Sequence, residues 1–424
     1  MIKQKLFAFL NDKKKQNFVI YGLGQAFNLI SPIFVAPIVV SICHVEGLGK
    51  MGFGFALALF LILIVDYGFD IKGTKQASES RDNLVELQKL LNLIIASKVV
   101  LFLIALIIGL FLIFCVPFFY HEKKLFLLSL TIVFAQIFNP LWFLQGIENF
   151  KLVSVLNIGS KILYVLLVFF LVTQKEDYIF VNLFLGISAL LFNVLGLCII
   201  KIKYKLQICL PFFHEIITVI KNDFSFCVSQ LFLSARQLSP LVLTGFFIGY
   251  TIAGQYKIIE QVITLFRTFI QVFLKFFYPS VCFKYKQSKT EGIAFWKKYA
   301  TFVFVFVFVM LLIIFIFSED VLRFFHLSEL LILQLSLIFK ISLIVSMLMS
   351  ISLPLEQLMF VTNKNKNYII ITIIATIVNI SLILLFINSF KLYAIIISLI
   401  ISELFFIGLY SKSTMGINKK NNEN

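Results

Sequence analysis

GQYKIIEQVITLFRTFIQVFLKFFYPSVC, residues 254–282, is long enough to cross a bilayer as a single helix, yet it carries charge that a plain anchor would not tolerate. At about 100° per residue, Lys257, Glu260, Gln261, Thr264, Arg267, Thr268, Gln271 and Lys275 share a sector of roughly 120°. Ile258, Ile259, Val262, Ile263, Phe266, Phe269, Ile270 and Phe273 fill the remainder. A charge at the bilayer centre costs roughly 2.5–3.5 kcal/mol, so a stripe of this kind implies an aqueous cavity rather than acyl chains. Its cations imply a transporter that handles something anionic. Lys257 and Lys275 lie near the two ends, where long side chains reach the interface, and Lys257 with Glu260 has the spacing of an i,i+3 ion pair. Arg267 lies near the middle and escapes both accounts. Arginine is also scarce: of 37 basic residues only Arg81, Arg236, Arg267 and Arg323 are Arg. Two of these fall inside apolar segments, and a planar, permanently charged fork suits phosphate oxygens better than a point ammonium does.

Outward from this stretch the whole chain reads as membrane. It is 60% hydrophobic and 14% charged, with 52 Phe in 424 residues and a mean hydropathy of +1.01. The apolar runs are of helix-spanning length, not the alternating strands of an outer-membrane barrel. They predict an all-α polytopic protein with twelve spans near 18–42, 49–69, 90–116, 125–144, 152–173, 179–200, 223–249, 254–281, 299–317, 330–353, 367–387 and 391–410. With that count, twenty-four Lys and Arg fall on the side holding both termini and six on the other. Both termini are therefore expected in the cytoplasm. The basic amino terminus leads into a segment too long for a signal peptide, so it is expected to stay as the first span. The net charge of +16 sits in short loops between spans, which removes nucleic acid as a partner and points to anionic membrane lipid.

The basic stretch near 201–222 divides the chain into two six-span lobes, 1–205 and 206–424, as in transporters built by duplication. Gln25 and Gly49 have the same spacing as Gln230 and Gly254, and both first spans carry proline, Pro32 with Pro37 and Pro240. Tyr21, Gln25 and Asn28 share one helix face, and Gln230, Ser234, Gln237 and Thr244 another; Arg236 points about 100° away from the latter. Lys98, Lys161 and Lys340 are further cations within apolar runs. Among carboxylates able to bind H⁺ or Na⁺, Asp66 and Glu260 are the coupling candidates, Asp66 sharing a face with Asp70 at i,i+4 and Glu403 standing third. Cys43, Cys115, Cys198, Cys209, Cys227 and Cys282 lack metal-ligand spacing, and His44, His121, His214 and His326 pair with no nucleophile. No phosphate-cradling G-x-x-x-x-G-K-[ST] loop is present. Neither cofactor nor catalysis is expected, and any driving force must come from ion gradients or a partner.

GLGKMGFGFALALFLILIVDYGFD (47–70), ESRDN (79–83), NPLWFLQGIENF (139–150), AGQYKIIEQV (253–262) and FFYPSV (276–281) resemble, in order along the chain, the Wzx-type O-antigen and polysaccharide repeat-unit flippases. The resemblance implies a MATE-like fold of two six-helix lobes around a central cationic cavity. It also implies flipping of an undecaprenyl-diphosphate-linked oligosaccharide to the periplasmic leaflet by alternating access, with polysaccharide polymerase machinery as a partner. Arg267, Lys275, Lys257 and Arg236, with Gln271, Gln25 and Asn28, are the expected substrate-binding set. Gln261 and Val262 depart from a second basic residue that relatives often carry there. A MATE-like cation-coupled multidrug exporter is the alternative, but it calls for a negative cavity. A lipid II flippase usually has fourteen spans. A membrane-embedded polymerase would need a long periplasmic loop, and the longest here is around 318–329.

Overall fold

The computed structural model describes residues 13–207 and 209–420, which are helices joined by short connections, with no strand among them. In chain order the helices are α1 (Lys13–Asp66), α2 (Phe69–Glu79), α3 (Leu84–Cys115), α4 (Pro117–Tyr120), α5 (Lys123–Ile137), α6 (Leu141–Gly146), α7 (Phe150–Leu171) and α8 (Tyr178–Tyr204). Then follow α9 (Phe213–Phe247), α10 (Tyr250–Gln287), α11 (Lys289–Ile316), α12 (Ser318–Phe324), α13 (Glu329–Val361), α14 (Asn365–Phe390) and α15 (Leu392–Lys420). Among the described residues nine helices are long and apolar enough to cross a membrane, or ten if the pair Tyr250–Tyr278 and Ser280–Gln287, bent by 44°, counts as one span. The stretch Ser31–Glu79 is one of the nine, although it covers parts of two expected segments. His44, with φ 62 and ψ 173, breaks its helical path between them. Side chains such as Ile107, Phe111, Phe170 and Leu385 are exposed on helix surfaces, as a chain solvated by lipid requires. This is a multi-pass membrane protein.

The chain forms two compact units that divide between Ser234 and Ala235, inside α9. In the first, α5 packs along α8 and α1 along α7. Lipid tails are as apolar as Leu, so helices associate here through close approach and polar contacts. A Cβ on Gly186 would lie 2.2 Å from Thr131 Oγ1 and 2.8 Å from Ile132 N, so only glycine lets α8 come this near α5. Asn182, fully buried, donates to Ser129 Oγ at 2.9 Å and to the Met51 carbonyl at 3.0 Å, tying α8 to α5 and α1.

Two of the quoted motifs meet at one end of this unit. The short helices α2 and α6 pack together, with Trp142 and Phe143 buried alongside Phe69, Ala77 and Leu87. Gly146 is the contact point: a Cβ there would lie 2.5 Å from Ala77 Cβ and 2.8 Å from the Thr74 carbonyl. Thr74 Oγ1 donates to the Trp142 carbonyl at 3.2 Å, and Arg81 pairs with Glu148 at 3.3 Å. Asn83 caps α3 by accepting from the N–H groups of Val85 and Glu86. Residues 69–83 and 139–150 thus form one packed end.

In the second unit α13 is the hub, against α10, α11 and α15, and α14 lies along α15. Trp296 Nε1 donates to the Pro354 carbonyl at 3.0 Å and Gln357 Nε2 to the Leu274 carbonyl at 2.6 Å, so α13 holds both α10 and α11 by polar contacts. Phe273 stacks on Phe302 and Phe269 on Phe306, at 5.5 and 4.9 Å between ring centres, joining α10 to α11.

Candidate functional site

α10 forms because Gly249 (φ 110) turns the chain after α9 and a long apolar-faced segment follows, running to the bend after Tyr278. Ile258, Ile259, Val262, Ile263, Phe266 and Ile270 are buried, whereas Lys257, Glu260, Thr264, Arg267, Thr268 and Gln271 are only half-buried and Lys275 is exposed. The polar stripe thus lies away from the unit's own core. Gln261 is the exception, buried with its Oε1 lacking a hydrogen-bond partner. Lys257 and Glu260 form the expected ion pair at 2.7 Å.

The four arginines separate cleanly. Arg81 pairs with Glu148, and Arg323 in α12 pairs with Asp320 and Glu329. Its hydrogen bonds to Glu329, with the charges of both carboxylates, hold the Arg323 guanidinium above its usual pKa. Arg236 in α9 pairs with Glu403 of α15. Arg267, in mid-helix, has no ion-pair or hydrogen-bond partner among the described residues.

Arg236 belongs to a network that composition and spacing only hinted at. Glu403, fully buried, also accepts a hydrogen bond from Ser352 Oγ, and the Arg236 guanidinium lies 3.9 Å from the centre of the Phe406 ring. Tyr368 donates to Glu356 at 3.3 Å. Neither Glu356 nor Ser352 is a sequence candidate: they stand four apart on α13 among other polar residues such as Ser350 and Gln357, so the sequence does not set them apart. Arg236 had been placed off its helix's polar face, and that direction leads to Glu403.

In the first unit Lys98 of α3 is fully buried and donates to Asp66 Oδ1 at 2.8 Å. Gln136 Nε2 donates to both Asp66 oxygens at 2.7 Å. Asp66 is therefore saturated by two helices distant in sequence. The expectation that Asp66 and Asp70 share a helix face is corrected: α1 ends at Asp66, Tyr67 (φ 50) and Gly68 (φ 92) turn left-handed, and Asp70 starts a separate helix. Lys161, in the middle of α7, is half-buried and has no ion-pair or hydrogen-bond partner among the described residues. The sequence shows it only as a cation in an apolar run. Gln25 and Asn28 lie on α1, and their side chains are outside the described residues. Among the described residues no His, Cys, Asp and Glu group could hold a metal ion.

Each unit thus holds intramembrane charges that are neutralised and, among the described residues, cations without a carboxylate partner: Lys161 in the first, and Arg267 and Lys340 in the second, Lys340 lying over the Phe315 ring at 5.6 Å. Such a cation can attract an anion without first breaking an internal ion pair. Comparison with known proteins accords with a transporter fold. An inward-facing multidrug MATE transporter of the MOP superfamily superposes with a TM-score of 0.74 at 15% identity, covering 93% of this chain and 96% of that one. The lipid II flippase MurJ, in an inward closed conformation, gives 0.73 at 14% identity over 93% and 87%. By sequence, a "Putative O-antigen transporter" of Escherichia coli K12 is 21% identical over 287 residues, 68% of this chain and 69% of that protein. One of the same description from Shigella dysenteriae is 25% identical over 246 residues, 57% of this chain and 60% of that protein. The family model described as polysaccharide biosynthesis protein matches residues 15–285, which include the packed end of the first unit and the α10 stripe: the chain belongs to the polysaccharide biosynthesis protein family.

Proposed function

We propose that this protein is a flippase for an undecaprenyl-diphosphate-linked oligosaccharide, moving it from the cytoplasmic to the periplasmic leaflet of the bacterial inner membrane. The supporting relatives are the family itself and the two O-antigen transporters. The observation that carries the reading is Arg267: of the four arginines it alone has no carboxylate partner among the described residues, and it sits in mid-span. A lipid diphosphate is anionic and carries a bulky polar glycan, and neither crosses hydrocarbon unaided. Arg267 takes the diphosphate, and Lys257, Lys275 and Gln271 assist along the same stripe. Arg236 contributes once Glu403 releases it. Gln25 and Asn28 are assigned to the glycan. The polyprenyl tail stays in lipid while these positions open alternately to either side, in a twelve-span arrangement with both termini cytoplasmic.

The neutralised carboxylates bear on energy coupling. Glu260 and Asp66 are the groups proposed to take up H⁺ or Na⁺, each exchanging its ion pair for the coupling ion. Transport in vesicles that ignores both gradients removes them from this role. The flipping reading is tested by adding a membrane-impermeant glycosidase to spheroplasts of a deletion strain with and without this gene. The lipid-linked glycan becomes accessible only when the gene is present, Arg267→Ala abolishes that accessibility at normal protein abundance, and Arg267→Lys retains part of it. Full accessibility with the alanine variant takes Arg267 out of the mechanism. Unchanged accessibility together with lost efflux of toxic cations establishes a drug exporter instead.

A further inference from the structure

The connection from α8 to α9 is pinned at both ends and bare between them. α8 closes with Lys205 in the left-handed conformation (φ 53), and the N–H groups of Lys205 and Leu206 both return to the Lys201 carbonyl. Leu206 is buried in the core around Trp142. Gln207 is clamped to α3: its N–H donates to Gln88 Oε1 and its carbonyl accepts from Asn92 Nδ2, each at 3.1 Å. Beyond the loop Ile216 is buried again, and the Phe212 N–H donates to Glu215 Oε2 at 3.1 Å as α9 begins. Leu210, Phe212 and Phe213, in between, are 94%, 80% and 66% exposed.

A charged groove lies along the last turns of α8, just before this apolar projection in the chain. Cys198, Lys201, Ile202, Lys205 and Leu206 line an open cavity of about 520 Å³. Lys201 and Lys205 stand four residues apart, and neither has an acidic partner among the described residues. The segment leaves the end of α8, a helix long and apolar enough to cross the bilayer, so it lies at the bilayer's edge. Three large apolar side chains held out next to unpaired lysines match a bilayer interface, where rings and aliphatic chains enter the acyl boundary and ammonium groups meet anionic headgroups.

We propose that this groove and loop form a binding site for an anionic glycerophospholipid of the surrounding leaflet. The lipid phosphate sits between Lys201 and Lys205, and its acyl chain runs against Ile202 and Leu206 with Leu210, Phe212 and Phe213 inserted alongside. The site does not depend on the transported substrate. The full-length protein is reconstituted in nanodiscs of phosphatidylcholine with one-fifth phosphatidylglycerol, and the lipids it retains are counted by native mass spectrometry. Wild type retains phosphatidylglycerol in preference to phosphatidylcholine, and Lys201→Gln with Lys205→Gln lowers that preference about tenfold. Leu210→Ser with Phe212→Ser reduces total retained lipid, while Lys286→Gln with Lys289→Gln, in a different basic loop, leaves the preference intact. Equal retention of the two lipids by wild type overturns the proposal. So does an equal loss in the Lys286 and Lys289 variant, which would mean diffuse charge attraction. Displacement of phosphatidylglycerol by undecaprenyl diphosphate at equal mole fraction would make this a substrate site and also overturn it.

Discussion

Lys98 in the first unit and Arg267 in the second are both cations placed inside apolar helices, and the protein treats them in opposite ways. Lys98 is fully buried and held by Asp66, which Gln136 also binds through both oxygens. Arg267 is half-exposed and has no ionic partner among the described residues. A buried ion pair satisfied on every side is expensive to break and contributes shape. A cation left open contributes attraction for whatever anion reaches it. The same residue class therefore serves architecture in one place and recognition in the other, and partnership decides which.

Substitutions can break this contrast. Lys98→Ala leaves Asp66 buried with an uncompensated charge and is expected to cost about 3–5 kcal/mol, read as lost monodisperse protein and a lowered Tm in detergent. Lys98→Met with Asp66→Leu removes both charges and restores most of the Tm, whereas a double variant no better than the single one would make the pair more than structural. Arg236→Ala exposes the same logic at Glu403 and should cost about 2–4 kcal/mol by the same measurement. Gly146→Ala forces a methyl group into Ala77 and the Thr74 carbonyl and should cost about 1–3 kcal/mol, seen as faster proteolysis near residues 70–83. Asn83→Ala removes the cap of α3 and should cost about 1 kcal/mol. Smallest of all is Arg267→Ala, expected to change Tm by no more than a loop substitution does; a large loss of stability would show that Arg267 has a structural partner after all.

The helical class and the polar stripe of α10 were legible because periodicity is local: a side chain's sector on a helix follows from its position within a few turns. The Lys257–Glu260 pair was legible for the same reason, three residues apart on one helix. The break at Tyr67 and Gly68 was not, although the glycine in VDYGFD offered a cue. Glu356 and Ser352 do not stand out in the sequence because they are two of several polar residues on α13, and a polar residue by itself carries no indication of what it meets. Lys161 showed as a cation, but only the packing around it reveals the missing partner.

Composition and hydropathic period alone dictate a multi-pass helical membrane chain, because the free energy of moving each segment into hydrocarbon is summed over its own residues. Which charges are neutralised is a different kind of fact. Asp66 meets Lys98 across 32 residues and Gln136 across 70, and Arg236 meets Glu403 across 167. Contacts at such separations exist only after helices pack, so the tertiary structure alone decides that Lys98 and Arg236 are held and Arg267 is left open.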